Sequence, residues 1–558
     1  MKKDLTIKKI TGATFTPQPL ADFLSARILK YCDVSNNISI LDPACGDGIL
    51  LSSFVKNFSD IRIKVFGYDT NQQYINSINQ KFFSLNISEY EFINDDFLTI
   101  CPNNIDLFND KAKREFCDII IANPPYVRTQ TLGSEKSQEL SKNFGIKGKI
   151  DLYYPFFMAI TNALKVGGIL GIITSNRYIC TKSGSDIRKF LIENYDIIEI
   201  IDLGDTKLFD AAVLPAIFIG KKKKKNSSNH YRPIYRSIYE NNLSKDSYIK
   251  TYSNIFDILK SDIPGIYKTD KSIYEYRFGK LKQSSDKSDI WQLADCNNSI
   301  VDTMEENSPF KIKDKFKVRV GIKSCADDIF ITQKWENMGI NIEADLLKPM
   351  LSQENIDTWH IESNDIIEIL YPHYSAEGKR MVFNIEDYPN AYKYLNLHRQ
   401  QLEKRTYLIK ANRNWYEYWV PQNPSLWSYP KIVFPDISIK PRFCLDKSGA
   451  VVNGNCYWIC AQNKEEEELL LLIEGVCNSS IMTKYHDSKF TNKLYSGRRR
   501  YLSQYIEEYP LPNPNCEESK KIIQLTEKIN QCFDSTELIS LTTELDKWVE
   551  KAYGIIQD

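Results

Sequence analysis

Asn123, Pro124, Pro125 and Tyr126 terminate an apolar run, Ile119 to Ala122, and their types and order point to chemistry. Four apolar residues in succession predict a strand buried on both faces. Two prolines then remove two backbone donors and fix φ, so the strand must end in a rigid, non-helical corner. An Asn, a free carbonyl and a Tyr are thereby delivered to the carboxyl end of a central strand, where open α/β sheets hold their ligands. An exocyclic amine on a base or an amide is a poor nucleophile because its lone pair is delocalised into the π system. The side-chain oxygen of Asn123 and the carbonyl of Pro124 can each accept one N–H, favouring a pyramidal nitrogen with its lone pair aimed outwards. The Tyr126 ring can hold a planar substrate by stacking. No nucleophilic Ser or Cys and no metal is needed. Such a group suits methyl transfer from a sulfonium donor, where positioning and electrostatics supply the catalysis.

The preceding elements must position both this corner and the donor. Thr14 or Thr16 can cap a helix with Pro17 in its first turn and Leu20, Phe23, Leu24 and Ile28 on its apolar face. Its free N–H groups would suit a carboxylate. Next, Ile38 to Leu51 reads as a strand, a small-residue loop and a helix: Asp42, Pro43 and Ala44 lead into Gly46 and Gly48. This is a nucleoside-cofactor loop in a first βα turn, without the third Gly of the dinucleotide fingerprint. Asp42 and Asp47 would repel a pyrophosphate, which argues for a donor without phosphates. A second strand ends at Asp69, about 20 residues beyond Gly46, where an acidic side chain accepts from ribose hydroxyls. A third ends at Asp96, able to accept from a purine amine, with Phe97 as an apolar wall.

Beyond Tyr126 a polar stretch, Thr129 to Lys149, reads as mobile. An aromatic-rich helix (Asp151 to Leu164), a strand after Gly167-Gly168, a helix (Gly184 to Glu193) and a strand (Asp196 to Leu203) follow. A loop through Lys207 and Phe209 then leads to a last strand, Leu214 to Gly220. This alternation, closed by a strand–loop–strand hairpin, predicts an α/β fold with a doubly wound, mixed seven-stranded sheet. The five lysines Lys221 to Lys225 read as a solvated linker. From about residue 230 the rhythm disappears, and stretches mixing aromatics with bases take over, among them Asn412 to Trp419 and Tyr495 to Tyr501. In the second of these, Arg498, Arg499 and Arg500 are expected to reach phosphates or guanine edges. Cys456 and Cys460 fall in a strand pattern and are expected to be buried. A final helix, Glu517 to Ala552, carries an apolar stripe that should pack on the body.

Bulk properties narrow the classes. A chain of 558 residues implies two to four domains, and 42% apolar with 26% charged residues is ordinary for a soluble protein. No apolar run approaches the ~20 residues of a membrane span, and the start lacks a signal-peptide core. Thirteen scattered cysteines without a CxxC pair, and only five histidines, argue against a metal site or a disulfide framework and for a reducing cytoplasm. Lys plus Arg and Asp plus Glu both number 72, so any basic groove must be local.

Taken together, TFTP, DPACGDG, GYD, DDFL, NPPY, DLYYPF and GGILGIITSNRYI match, in order, the motifs of the TaqI-like, gamma-class DNA adenine-N6 methyltransferases, which residues 10 to 220 resemble. Looser matches (315 to 333, 345 to 356, 429 to 437 and Leu511-Pro512) resemble that family's target-recognition domain. The resemblance implies S-adenosylmethionine as donor, with Thr16, Ala44 and nearby backbone at its methionine end. It implies Asp69 at the ribose, Asp96 at the adenine amine, and Phe97 and Phe156 on the adenine ring. It also implies Asn123 and Pro124 at the target amine, Tyr126 stacked on the flipped base, and Phe209 as a second aromatic against that base. In the recognition domain Lys323 is expected at DNA beside the three arginines. Two departures stand out: Asp42 where the family often has Glu, and DAAVLP after Phe209, which lacks a basic residue some members carry.

The expected protein is thus a site-specific methyltransferase acting on the N6 amine of a flipped adenine in duplex DNA, the modification enzyme of a restriction–modification or phage-defence system. Flipping costs a few kcal/mol, and stacking on two aromatics at ~1–3 kcal/mol per base can offset it. The alternative is NPPY chemistry on structured RNA or a protein glutamine amide. Residues 1–225 are expected to form the catalytic domain, 226–300 a linker and 301–558 an α+β recognition domain ending in a helix. No room upstream and no PD…ExK pattern downstream suggest that any restriction endonuclease is a separate protein. A cytoplasmic monomer without a membrane partner is expected.

Overall fold

The computed structural model describes residues 15–32, 37–58, 62–85, 87, 89–101, 114–126, 134–145, 151–209, 213–224, 232–241, 248–282, 286, 290–291, 293–294, 298–332, 335, 341–362, 367–490, 494 and 497–556. They fall into two compact units, Met1–Asp295 with Lys493–Gly497, and Cys296–Asn492 with Arg498–Asp558.

In the first unit, β1 (Asn37–Asp42), β2 (Arg62–Asp69), β3 (Glu89–Asn94), β4 (Cys117–Ala122), β5 (Leu164–Ser175), β6 (Tyr195–Asp202) and β7 (Pro215–Lys222) lie in the order 3-2-1-4-5-7-6. The first five strands in this order are mutually parallel, and β7 is inserted antiparallel between β5 and β6. β4 is central and buried on both faces, as its unbroken apolar run requires. Ile119 and Ile121 pack with Leu20, Leu24 and Ile28 from the helix Gln18–Leu29, whereas Ile120 and Ala122 pack with the helix Tyr153–Ala163.

The sheet does not stop at seven strands. β8 (Ile234–Glu240), β9 (Lys250–Thr251), β10 (Gly265–Lys268), β11 (Ile273–Leu281) and β12 (Leu293–Ala294) extend it to twelve, β8 pairing parallel to β6. The 226–300 stretch expected as a linker therefore contributes five strands to this sheet. IYRSIYE and IYEYRFGKL are aromatic-rich alternating strands without the βα rhythm that marks the first six. A buried ion network joins the extension to the rest. Glu199 of β6, with no exposure, accepts from Arg27 Nε at 2.9 Å and also pairs with Arg236 of β8. Arg236 in turn donates to the Tyr276 hydroxyl of β11 at 2.5 Å.

Two further expectations are corrected in this unit. Of the lysine run, Lys222 Nζ donates to the carbonyls of Thr161 (2.6 Å) and Leu164 (2.7 Å), and Lys223 Nζ to that of Ile192 (2.8 Å). These cations satisfy orphan carbonyls at helix C-termini instead of facing only solvent. Within the polar stretch, Ser134–Phe144 is a helix that buries Leu140 and Phe144.

The second unit is α+β. Cys456–Cys460, Lys431–Pro435, Cys444–Asp446 and Arg319–Val320 form an antiparallel sheet, and Cys456 and Cys460 are buried in it. The helices Lys464–Asn478, Ser480–Phe490, Glu517–Gln531 and Ser535–Ala552 share one core. The single C-terminal helix expected from the apolar stripe is two, because Asp534 accepts from the N–H groups of Thr536 (2.9 Å) and Glu537 (2.8 Å) and starts a new helix. Among the described residues no helix is long and apolar enough to cross a membrane.

Candidate active site

The parallel strands β1 to β4 all deliver their carboxyl ends to one edge of the sheet. β1 leads into the Asp42–Gly48 loop, β2 ends at Asp69, Asp96 follows β3, and Asn123 follows β4.

The amide of Asn123 is fixed at both ends. Its Nδ2 donates to Thr16 Oγ1 at 2.9 Å, and its Oδ1 accepts from the Tyr126 hydroxyl at 2.8 Å. Thr16 does not cap the first helix, whose N-cap is Pro17. Its buried hydroxyl is spent on Asn123, and Thr14 lies outside the described residues. The Tyr126 ring meets the Phe209 ring edge-on, with centroids 6.0 Å apart. Burial pushes the Tyr126 phenol up, so it remains a neutral donor. Asn123, Thr16, Tyr126 and Phe209 thus form one cluster although up to 193 positions separate them in the chain.

The donor side is acidic. Asp42 is buried and accepts from the Ala44 N–H at 3.0 Å. Its carboxyl is pushed up to about 8 by burial, with the charges of Asp69 and Asp47 acting in the same direction. Asp69 accepts from the N–H groups of Gly46 (3.0 Å) and Asn71 (2.8 Å), and burial raises it as well. The Gly46–Asp69 bond ties the loop after β1 to the end of β2. Gly48, at φ +72°, has a left-handed backbone that favours glycine, and a Cβ there would also meet Ile78 at 2.4 Å, whereas the space above Gly46 is open to within 4.0 Å of Phe15. Acidic side chains at the ends of β1 and β2, beside the open space at Gly46, fit a donor that carries a sulfonium, an ammonium and a ribose and no phosphate. Thr16, Ala44, Gly46 and Asp69 are the residues that would hold it.

Other expected residues are placed differently. Asp96 N-caps a short helix through Leu98 N (3.1 Å) and pairs with Lys136 at 2.8 Å, a partner that sequence reading did not supply. Phe97 and Phe156 are buried, with 2% and 6% exposure, and Phe97 packs on Tyr68. Both belong to the hydrophobic core on one face of the sheet. Phe15, 39% exposed and edge-on to Tyr74, was passed over, although it directly precedes Thr16 in TFTP. In the second unit, Arg498 and Lys323 are exposed. Arg499 and Arg500, expected at DNA, are engaged by carboxylates. Arg499 forms a two-point pair with Asp487 (2.7 and 2.8 Å), and Arg500 reaches Asp436 at 2.5 Å.

Fold and site define an S-adenosylmethionine-dependent methyltransferase. Residues 25–209 match the Eco57I restriction-modification methylase family, and residues 353–511 the TaqI-like C-terminal specificity domain. Type II methyltransferase M.BanIII of Aneurinibacillus aneurinilyticus is 40% identical over 99% of both chains. M.BstVI of Geobacillus stearothermophilus is 23% identical over 91% of both. The Type IIL restriction-modification enzyme MmeI, solved in complex with DNA, shares the fold at a TM-score of 0.59 and 15% identity, over 97% of this chain and 73% of that one. The chain belongs to the Type II DNA methyltransferases of restriction–modification systems. These relatives do not favour the alternative substrates, structured RNA or a protein amide.

Proposed function

We propose that the enzyme methylates the N6 amine of an adenine flipped out of duplex DNA. The observation that carries this reading is the Asn123 amide, held by Thr16 so that its oxygen, and not its nitrogen, faces Tyr126. An acceptor pair made of Asn123 Oδ1 and the Pro124 carbonyl suits an exocyclic NH2. Tyr126 and Phe209 supply two ring faces for the purine. Bound S-adenosylmethionine supplies an electrophilic methyl group on sulfur. The protein's part is to orient the amine, to accept its N–H bonds and to exclude water. Asp69 is assigned to the ribose hydroxyls, Asp96 to the cofactor's adenine amine, and Arg498 and Lys323 to DNA. Residues 301–558 are read as the recognition domain. A separate restriction endonuclease is expected to share the target sequence, and one copy of the chain suffices to flip one base.

Modification-sensitive sequencing of DNA from a methylation-free host that expresses the protein tests this. One recurring motif with N6-methyladenine supports it. Cytosine-N4 methylation would keep the fold and overturn the base assignment, and unmodified DNA from a well-expressed, cofactor-binding protein would overturn the substrate.

A further inference from the structure

The loop that presents Phe209 leaves β6 at Asp202 and runs through Leu203, Gly204, Asp205 and Thr206, all buried. Three consecutive residues of β8, a strand beyond the matched methylase segment, are moulded to it. Tyr239 donates its hydroxyl to Asp202 Oδ2 at 2.6 Å. The backbone N–H of Glu240 donates to Asp205 Oδ1 at 2.7 Å, and the Glu240 carboxylate pairs with Lys207 at 3.4 Å. Gly204, at φ +51°, lies so close to the Ile238 carbonyl that a Cβ would come within 2.3 Å of it. From the other side, Asn176 after β5 donates to Asp202 Oδ1 at 3.1 Å and to the Tyr239 hydroxyl at 3.2 Å. Asp202 Oδ1 also accepts from the Gly204 N–H at 3.0 Å.

We propose that β8 is the buttress of the target-base pocket and that Tyr239 is a positioning residue, acting through Asp202 to hold Phe209 opposite Tyr126. The inference rests on the reading of Phe209 as a ring that packs on the flipped base. A surface loop is mobile by default, and a ring that must be ordered at the moment of docking gives back much of its stacking energy as lost entropy. Four contacts from a rigid strand order the loop beforehand. The extension of the sheet is then part of the catalytic apparatus, not a spacer.

The test is a double-mutant cycle on methyl transfer from labelled S-adenosylmethionine to DNA isolated from a methylation-free host, using Tyr239→Phe, Phe209→Ala and the double variant of the full-length enzyme. Tyr239→Phe keeps the ring and deletes one hydroxyl. It is expected to raise KM for DNA roughly tenfold, the scale of one hydrogen bond to a charged group, without changing cofactor affinity. It should add nothing in the Phe209→Ala background. Additive losses, or an unaffected Tyr239→Phe enzyme beside an impaired Phe209→Ala enzyme, would overturn the positioning role alone. A parallel loss of cofactor affinity would also overturn it by revealing general damage. Full activity of Phe209→Ala would instead sink the stacking reading, and this inference with it. Should Tyr239→Phe not fold, Asp202→Asn, which keeps the side-chain size, must show the same non-additivity.

Discussion

The hydroxyl of Tyr126 donates to Asn123 Oδ1 at 2.8 Å. The oxygen assigned to the target amine is thus held by the residue assigned to stack on the target base. Under the proposed reading, a target base that enters between Tyr126 and Phe209 would open their edge-on contact. In the structure this bond satisfies the Asn123 acceptor.

Asn123→Ala is expected to bind S-adenosylmethionine normally and to transfer methyl groups roughly 10²–10³-fold more slowly, the scale for loss of one preorganised polar contact. Tyr126→Phe keeps the ring and removes the internal donor. Its kcat should stay within about tenfold of wild type, the net worth of one hydrogen bond, whereas Tyr126→Ala loses the ring and ~1–3 kcal/mol of stacking. Single-turnover methylation with saturating cofactor separates the three. Equal losses in both Tyr126 variants would show that the hydroxyl is the essential part.

Asp69→Ala is expected to weaken cofactor binding, since the carboxylate also holds the Gly46 and Asn71 N–H groups. Titration calorimetry checks it. Unchanged affinity would remove Asp69 from the ribose role.

Asp42 should contribute a loss of stability as pH rises from about 4 to about 8. Its carboxyl has an ordinary value of 3.8 and is pushed up to about 8 by burial, so across that window the folded state binds the extra proton. Unfolding therefore releases a proton, and raising the pH favours it until the folded group has ionised. Thermal unfolding of Asp42→Asn between pH 5 and 9 should show a shallower decline than wild type. Parallel curves would exclude Asp42 as a source of the slope.

Arg236→Met leaves the fully buried Glu199 with Arg27 as its remaining cation partner among the described residues. Breaking a buried pair costs about 3 kcal/mol or more, so the urea midpoint should drop well below wild type. Lys64→Ala, which breaks an exposed pair with Glu89, should leave the midpoint essentially unchanged. Equal midpoints for the two variants would mean that the network does not weld β8 to the sheet.

Arg498→Ala should weaken DNA binding uniformly across sequences and lower the salt slope by about 1. Arg499→Ala should instead lower thermal stability, because it strips the mostly buried Asp487 of its two-point partner. The reverse pattern would return Arg499 to the DNA interface.

Residues close together in the sequence were legible as local elements without a structure. The NPPY corner, the Gly46–Gly48 loop and the acidic strand ends lie within βα units, where spacing and composition dictate local geometry, whereas the strand order 3-2-1-4-5-7-6 was decided by tertiary pairing. What spacing cannot reveal is which distant groups meet. Thr16 could be read as a helix cap or as a cofactor ligand. Only the packing of the first helix against β4 brought its hydroxyl to Asn123, 107 positions away. Arg498, Arg499 and Arg500 are chemically identical in sequence. Tertiary structure separated them by placing Asp487 and Asp436 beside two of the three. The same holds for β8. Its alternation was compatible with any edge strand, and its buried Arg236 and Tyr239 acquired meaning from Glu199 and Asp202 on the neighbouring β6. Local pattern encodes the elements and their chemistry. Partner choice among buried polar groups is a long-range property, because each must be satisfied by whatever the fold sets against it.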